Sequence, residues 1–161
     1  MRRAASWYSD RGKQINVDNL QVNAGGNLLA LNGQVSEPLN LSWRINGRDL
    51  AQAWPGLAGS LQGEGTVRGQ MKLPQVQGYL KGSNVRYQDI SVQALDVNIG
   101  QQGANYSVNG TLRNLRQGEN LLSYAEIKGQ GTLEQHTVTV AAVHQEGKLS
   151  LNASGGLRNN Q

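Results

Sequence analysis

Two histidines, a spaced glycine run and eleven carboxylates are the residues whose types and spacing could do chemistry here. His136 and His144 are eight positions apart. On one strand they would share a face yet stand ~26 Å apart at ~3.3 Å per residue, beyond the reach of one metal ion. Gly63-x-Gly65-x-x-x-Gly69 misses the dinucleotide spacing by one residue and lies in strand-like sequence rather than ahead of a helix. No Gly-x-Ser-x-Gly nucleophile elbow occurs, and the carboxylates are scattered with no pair that spacing alone brings together. There is no cysteine, which excludes a disulfide framework, a thiolate metal site and a cysteine nucleophile. Four Asn-x-Ser/Thr triplets, at Asn40, Asn105, Asn109 and Asn152, follow from an Asn-rich composition. No catalytic centre, cofactor or metal is implied, and the chain reads as a non-enzyme.

What remains is a scaffold, and the scaffold is β. Apolar residues alternate with polar ones through almost the whole chain, which places one set on each face of a sheet. The inward phase runs Leu39, Leu41, Trp43, Ile45, then Leu61, Val67, Met71, then Val76, Leu80 and Val85. It continues through Val92, Leu95, Val97 and Ile99, through Val108 and Leu112, and through Ile127 and Leu133. Val138, Val140, Leu149 and Leu151 close it. One wet face points to an antiparallel sheet, because doubly covered parallel sheets read as continuous apolar runs. The longest apolar run is four residues, too short for a membrane helix. One segment departs: Asp49 as N-cap, Leu50 and Trp54 at helical spacing, then Pro55 and Gly56 predict a short helix near 49–55. Leu50 and Trp54 are expected to plug one end of the apolar face.

The chain also repeats itself. Ile15-x-Val17-x-x-Leu20-x-Val22 returns as Ile90-x-Val92-x-x-Leu95-x-Val97, and Leu61-x-Gly-x-Gly-Thr-Val67 as Ile127-x-Gly-x-Gly-Thr-Leu133. A single domain over 1–161 with about two units of roughly 70 residues follows, residues 1–13 standing outside it as disordered or foreign sequence. In the first pair one extra residue flips the phase, as a β-bulge does, and bends the strand. Gly63, Gly65, Gly69, Gly78, Gly82, Gly129 and Gly131 occupy inward positions. Glycine there serves either tight curvature or space for a ligand.

The basic balance, 15 Lys and Arg against 11 Asp and Glu, is diffuse and carries no aromatic-flanked basic cluster, so no nucleic-acid partner is implied. Its functional residue is a mild attraction to anionic headgroups.

Residues 49–99 carry a specific likeness: Asp-Leu-Ala-x-x-Trp-Pro-Gly-Leu, then Leu-x-Gly-x-Gly-Thr-x-x-Gly and Pro-x-x-x-Gly. This resembles the TamB family, within the AsmA-like group of bridge-like proteins, over roughly residues 39–157. The resemblance implies an elongated sheet curled into a taco-like groove in the periplasm, within a protein anchored in the bacterial inner membrane. It also implies a role in phospholipid transport and outer-membrane assembly with the TamA barrel as partner. The anchor and the partner-contacting segment are missing from this sequence, which reads as an internal fragment. Two functions stay open. Either the apolar face shields phospholipid acyl chains in transit, or the groove holds nascent outer-membrane barrel or autotransporter segments through free strand edges.

Overall fold

The computed structural model describes residues 2–10, 14–132 and 134–156. Eleven strands follow one another: β1 (Arg2–Asp10), β2 (Gln14–Ala24), β3 (Asn27–Gln34), β4 (Leu39–Gly47), β5 (Leu57–Gln70) and β6 (Leu73–Tyr87). After them come β7 (Ile90–Gln102), β8 (Asn105–Gln117), β9 (Asn120–Gly131), β10 (His136–His144) and β11 (Gly147–Gly155). They form one sheet in sequence order, each antiparallel to the next, and the outer strands do not meet to close a barrel. Two-residue turns make this meander local. Gly25, Gln88, Gly103 and Gly118 open such turns with φ of +62°, +54°, +61° and +58°, the left-handed conformation that suits the twist of a tight hairpin. Residues 2–10, for which the sequence offered no element, pair with β2 as β1.

The sheet is a single layer. The chain exposes 11621 Å², where a compact monomer of its size would expose roughly 7,900 Å². Among the described residues the buried ones named for their side chains are Leu50 and Asn27 alone, and no large side chain is fully enclosed. No helix among them is long and apolar enough to cross a membrane.

The expected helix is one 3-10 turn, Leu50–Gln52, with Asp49 as N-cap accepting from the Ala51 amide at 3.2 Å. The Trp54 amide closes the turn by donating to the Leu50 carbonyl at 3.2 Å, yet its ring stands in solvent. Leu50 is 8% exposed and Trp54 62%, so the Trp54 half of the expected plug is corrected. Asn27 holds the turn in place. Its Nδ2 donates to the Ala24 carbonyl at 2.9 Å and the Asp49 carbonyl at 2.6 Å, and its Oδ1 accepts from the Asp49 amide at 3.0 Å.

Bulges appear where the repeated extra residue foretold them. In β2 the register shifts between Val17 and Leu20, with Asn19 at φ +55°. In β7 Gln93 falls out of the ladder, and its neighbours do likewise at Asn84 of β6, Asn114 of β8 and Ser123 of β9. The four extra residues stand side by side and form one crease, bounded by register shifts against β5 and β10.

Candidate functional site

Residues paired across neighbouring strands point to the same face, so the register fixes both faces. One cross-strand row reads Val22, Leu29, Ile45, Gly63, Leu80, Val97, Gly110, Ile127, Val140 and Leu151, from β2 to β11 without a break. Beside it run Leu20, Leu31, Trp43, Gly65, Gly78, Ile99, Val108, Gly129, Val138 and Ala153. On its other side stand Asn27, Gly47, Leu61, Gly82, Leu95, Leu112, Ala125, Ala142 and Leu149. Nine inter-strand steps of about 4.8 Å make this apolar stripe roughly 43 Å long. No polar residue other than Asn27, at its very end, enters these three rows.

The register also sets Leu39, Leu41, Val67, Val76, Val85 and Val92 on this face. One expected member, Met71, does not join it. Met71 lies in the two-residue turn between β5 and β6 and is 58% exposed, because Gln70 pairs with Leu73 and the alternation is cut there. Leu133 lies outside the described residues. Val17, Leu20, Val22, Leu29, Leu31, Leu115 and Leu122 belong to the face and were not singled out from sequence. The available signal was the repeat itself, since Val17 to Val22 is the counterpart of Val92 to Val97.

The inward glycines have a local reason. A Cβ at Gly65 would come within 2.7 Å of the Trp43 ring and one at Gly78 within 3.2 Å, so the indole lies across both. Ile127 lies over Gly110 in the same way, at 2.8 Å from a Cβ there. Empty positions receive the bulky neighbour in the row, and the stripe stays even rather than pitted.

The opposite face is polar and laced by exposed ion pairs: Arg44 with Glu64 at 3.0 Å, Lys81 with Asp96 at 3.2 Å, and Lys128 with Glu126 at 2.9 Å. The Lys128 ammonium is raised above its ordinary value, first by its hydrogen bond to Glu126 and then by that carboxylate's charge. A shallow depression of about 560 Å³ is lined mostly from this phase, by Ala30, Asn32, Ser42, Arg44, Glu64, Thr66, Gln77 and Tyr79. Leu31, Trp43, Gly65 and Gly78 also line it, and it is open rather than an enclosed ligand pocket. His136 and His144 occupy opposite ends of β10, and the described residues hold no cluster of metal-ligating side chains.

A family model described as TamB, N-terminal domain, matches residues 4–161, which extends the likeness to the N-terminal strand. No solved structure matches the chain.

Proposed function

The chain belongs to the TamB family, a component of outer-membrane assembly in the bacterial envelope, and from that premise we propose that its apolar face is a periplasmic path for phospholipid acyl chains. The observation that carries this reading is the unbroken stripe from Val22 to Leu151. Monomers rarely expose an apolar patch above a few hundred Å² without a use for it. Burying about ten methylenes is worth roughly 8 kcal/mol at ~0.8 each, enough to hold a lipid without specific polar contacts. Aliphatic residues follow one another with no position much stickier than the next, so a chain can slide. The headgroup stays in water beyond the strand ends. The reading needs no catalytic step.

The alternative occupant, an unfolded barrel segment, would be held by backbone pairing at a strand edge rather than by a side-chain stripe. Face continuity supports the lipid. The test uses a photo-crosslinking residue at Leu80, Val97 or Ile127, with Gln77 and Asn98 as neighbours on the polar face. Phospholipid captured from the first set and not from the second is the expected result; equal capture from both sets in folded protein would remove the face as the path. Charge at Val97 is expected to block transport while the same charge at Asn98 is accepted. An unpaired charge on the stripe costs several kcal/mol, comparable with the gain from one tail.

A further inference from the structure

The polar face carries one depression in which the cations have no carboxylate partner. Arg86 of β6, Ser91 of β7 and Arg116 of β8 form a cross-strand row. The two arginines therefore stand two strands apart, about 9.6 Å between their Cα atoms, on either side of a small hydroxyl residue. They rim an open depression of about 650 Å³. Elsewhere on this face Arg44, Lys81 and Lys128 each hold an acidic neighbour, whereas Arg86 and Arg116, like Arg68 and Arg113, hold none among the described residues. Asp89 and Glu119, on the turns next to these strands, form no ion pair with Arg86 or Arg116. The crease adds amide donors. The Asn114 amide donates to Gln93 Oε1, which fixes the Gln93 side chain and leaves its own NH₂ group with no protein acceptor.

We propose that Arg86 and Arg116, facing each other across Ser91, form a binding site for a phosphate ester on the face opposite the apolar stripe. Guanidinium groups grip phosphate through paired, charge-assisted hydrogen bonds. Two of them over a small floor can converge on one anion, with the Ser91 hydroxyl and the Gln93 amide as further donors. The bulges are what bring this about. Were β6 and β8 to run through Asn84 and Asn114 in unbroken alternation, Arg86 and Arg116 would fall on the apolar face. The site does not depend on what travels along the stripe.

The test measures binding of glycerol 3-phosphate, and separately of vesicles containing phosphatidylglycerol, to the whole chain at about 0.1 M salt, where diffuse attraction is screened. In Arg86→Gln/Arg116→Gln, affinity is expected to fall at least about tenfold. Arg68→Gln/Lys148→Gln removes the same charge from elsewhere and is expected to bind as the parent does. Ser91→Glu, which keeps both arginines and sets a carboxylate between them, is expected to abolish binding while the β-sheet circular dichroism is unchanged. Binding of glycerol 3-phosphate with this dependence makes soluble phosphate esters the source of the ligand. Binding of vesicles alone, with the same dependence, makes it a lipid headgroup. No binding of either probe, or equal loss in both double variants, overturns the site.

Discussion

Asn27 and Leu149 lie toward opposite ends of the sheet in very different surroundings. Around Asn27 the chain folds the 3-10 turn back over the sheet, and Leu50 packs against Gly47, where a Cβ would meet it at 2.7 Å. At the other end Leu149 is 64% exposed, Leu151 57%, and every residue of β11 is exposed. Two things differ: β3 has a neighbour on each side and a covering segment above it, whereas β11 is an edge strand with neither a second neighbour nor a cover. A single-layer sheet thus gives its apolar residues half-burial from their neighbours in the row, and full burial needs something laid across it. Enclosure is concentrated under the turn, and the remainder of the face stays open.

The contrast should break most visibly under the turn. Leu50→Ala is expected to cost about 2–3 kcal/mol in urea unfolding, while Leu149→Ala stays within about 0.5 kcal/mol. Equal losses at the two positions would dissolve the distinction between covered and open ends. Asn27→Ala strips two hydrogen bonds to Asp49 of the same turn and a third to the Ala24 carbonyl, and should cost about 1–3 kcal/mol. Combined with Leu50→Ala it should add less than its separate value, because the two share one element.

A subtler version compares two glycines of one row. Gly65→Ala would drive a Cβ into the Trp43 ring and the Gln77 carbonyl, at 2.7 and 2.5 Å, and is expected to lower stability by about 1–3 kcal/mol. At Gly129 the nearest atom to such a Cβ is 3.8 Å away, so Gly129→Ala is expected to be neutral or slightly stabilising, by up to about 1 kcal/mol. Thermal melts of the two variants decide it.

The smallest effect concerns the polar face. Lys128 is raised above its ordinary 10.5. Its contribution is therefore complete at neutral pH and lost only as pH climbs through the raised value. Glu126→Gln should lower the melting temperature slightly from roughly pH 6 to 9 and leave it as in the parent at strongly alkaline pH, so that the gap between the two narrows.

Much of this was legible from parity alone, since alternation at Leu39–Ile45 or Val97–Ile99 names a face as soon as a sheet is granted. It failed where the chain departs from two-residue periodicity. Met71 and Leu73 continue the count on paper, but the turn at 71–72 resets it and leaves Leu73 on the polar phase, 47% exposed. Leu28 to Leu31 hides Leu29 and Leu31 because apolar residues occupy both phases there. Trp54 has the helical spacing and its amide bonds the Leu50 carbonyl, yet the single turn brings Leu50 alone down on the sheet and leaves the indole in solvent. Arg86 and Arg116 escaped notice for a related reason: bulges separate them from the strand segments whose phase was easy to follow.

The crease from Asn84 to Ser123 has a consequence for how such a chain can change over generations. It resembles a dislocation in a crystal, with its two ends at the β5–β6 and β9–β10 seams. Deleting Asn84 alone would leave Val85 and Tyr87 on the apolar side, because they would follow Ser83 in plain alternation, and would carry the register shift from the β5–β6 seam to the β6–β7 seam. Deleting all four extra residues together would erase the line without exchanging the faces. Single-residue losses can therefore be inherited one strand at a time from either border of the crease, each step moving that border inward by one strand.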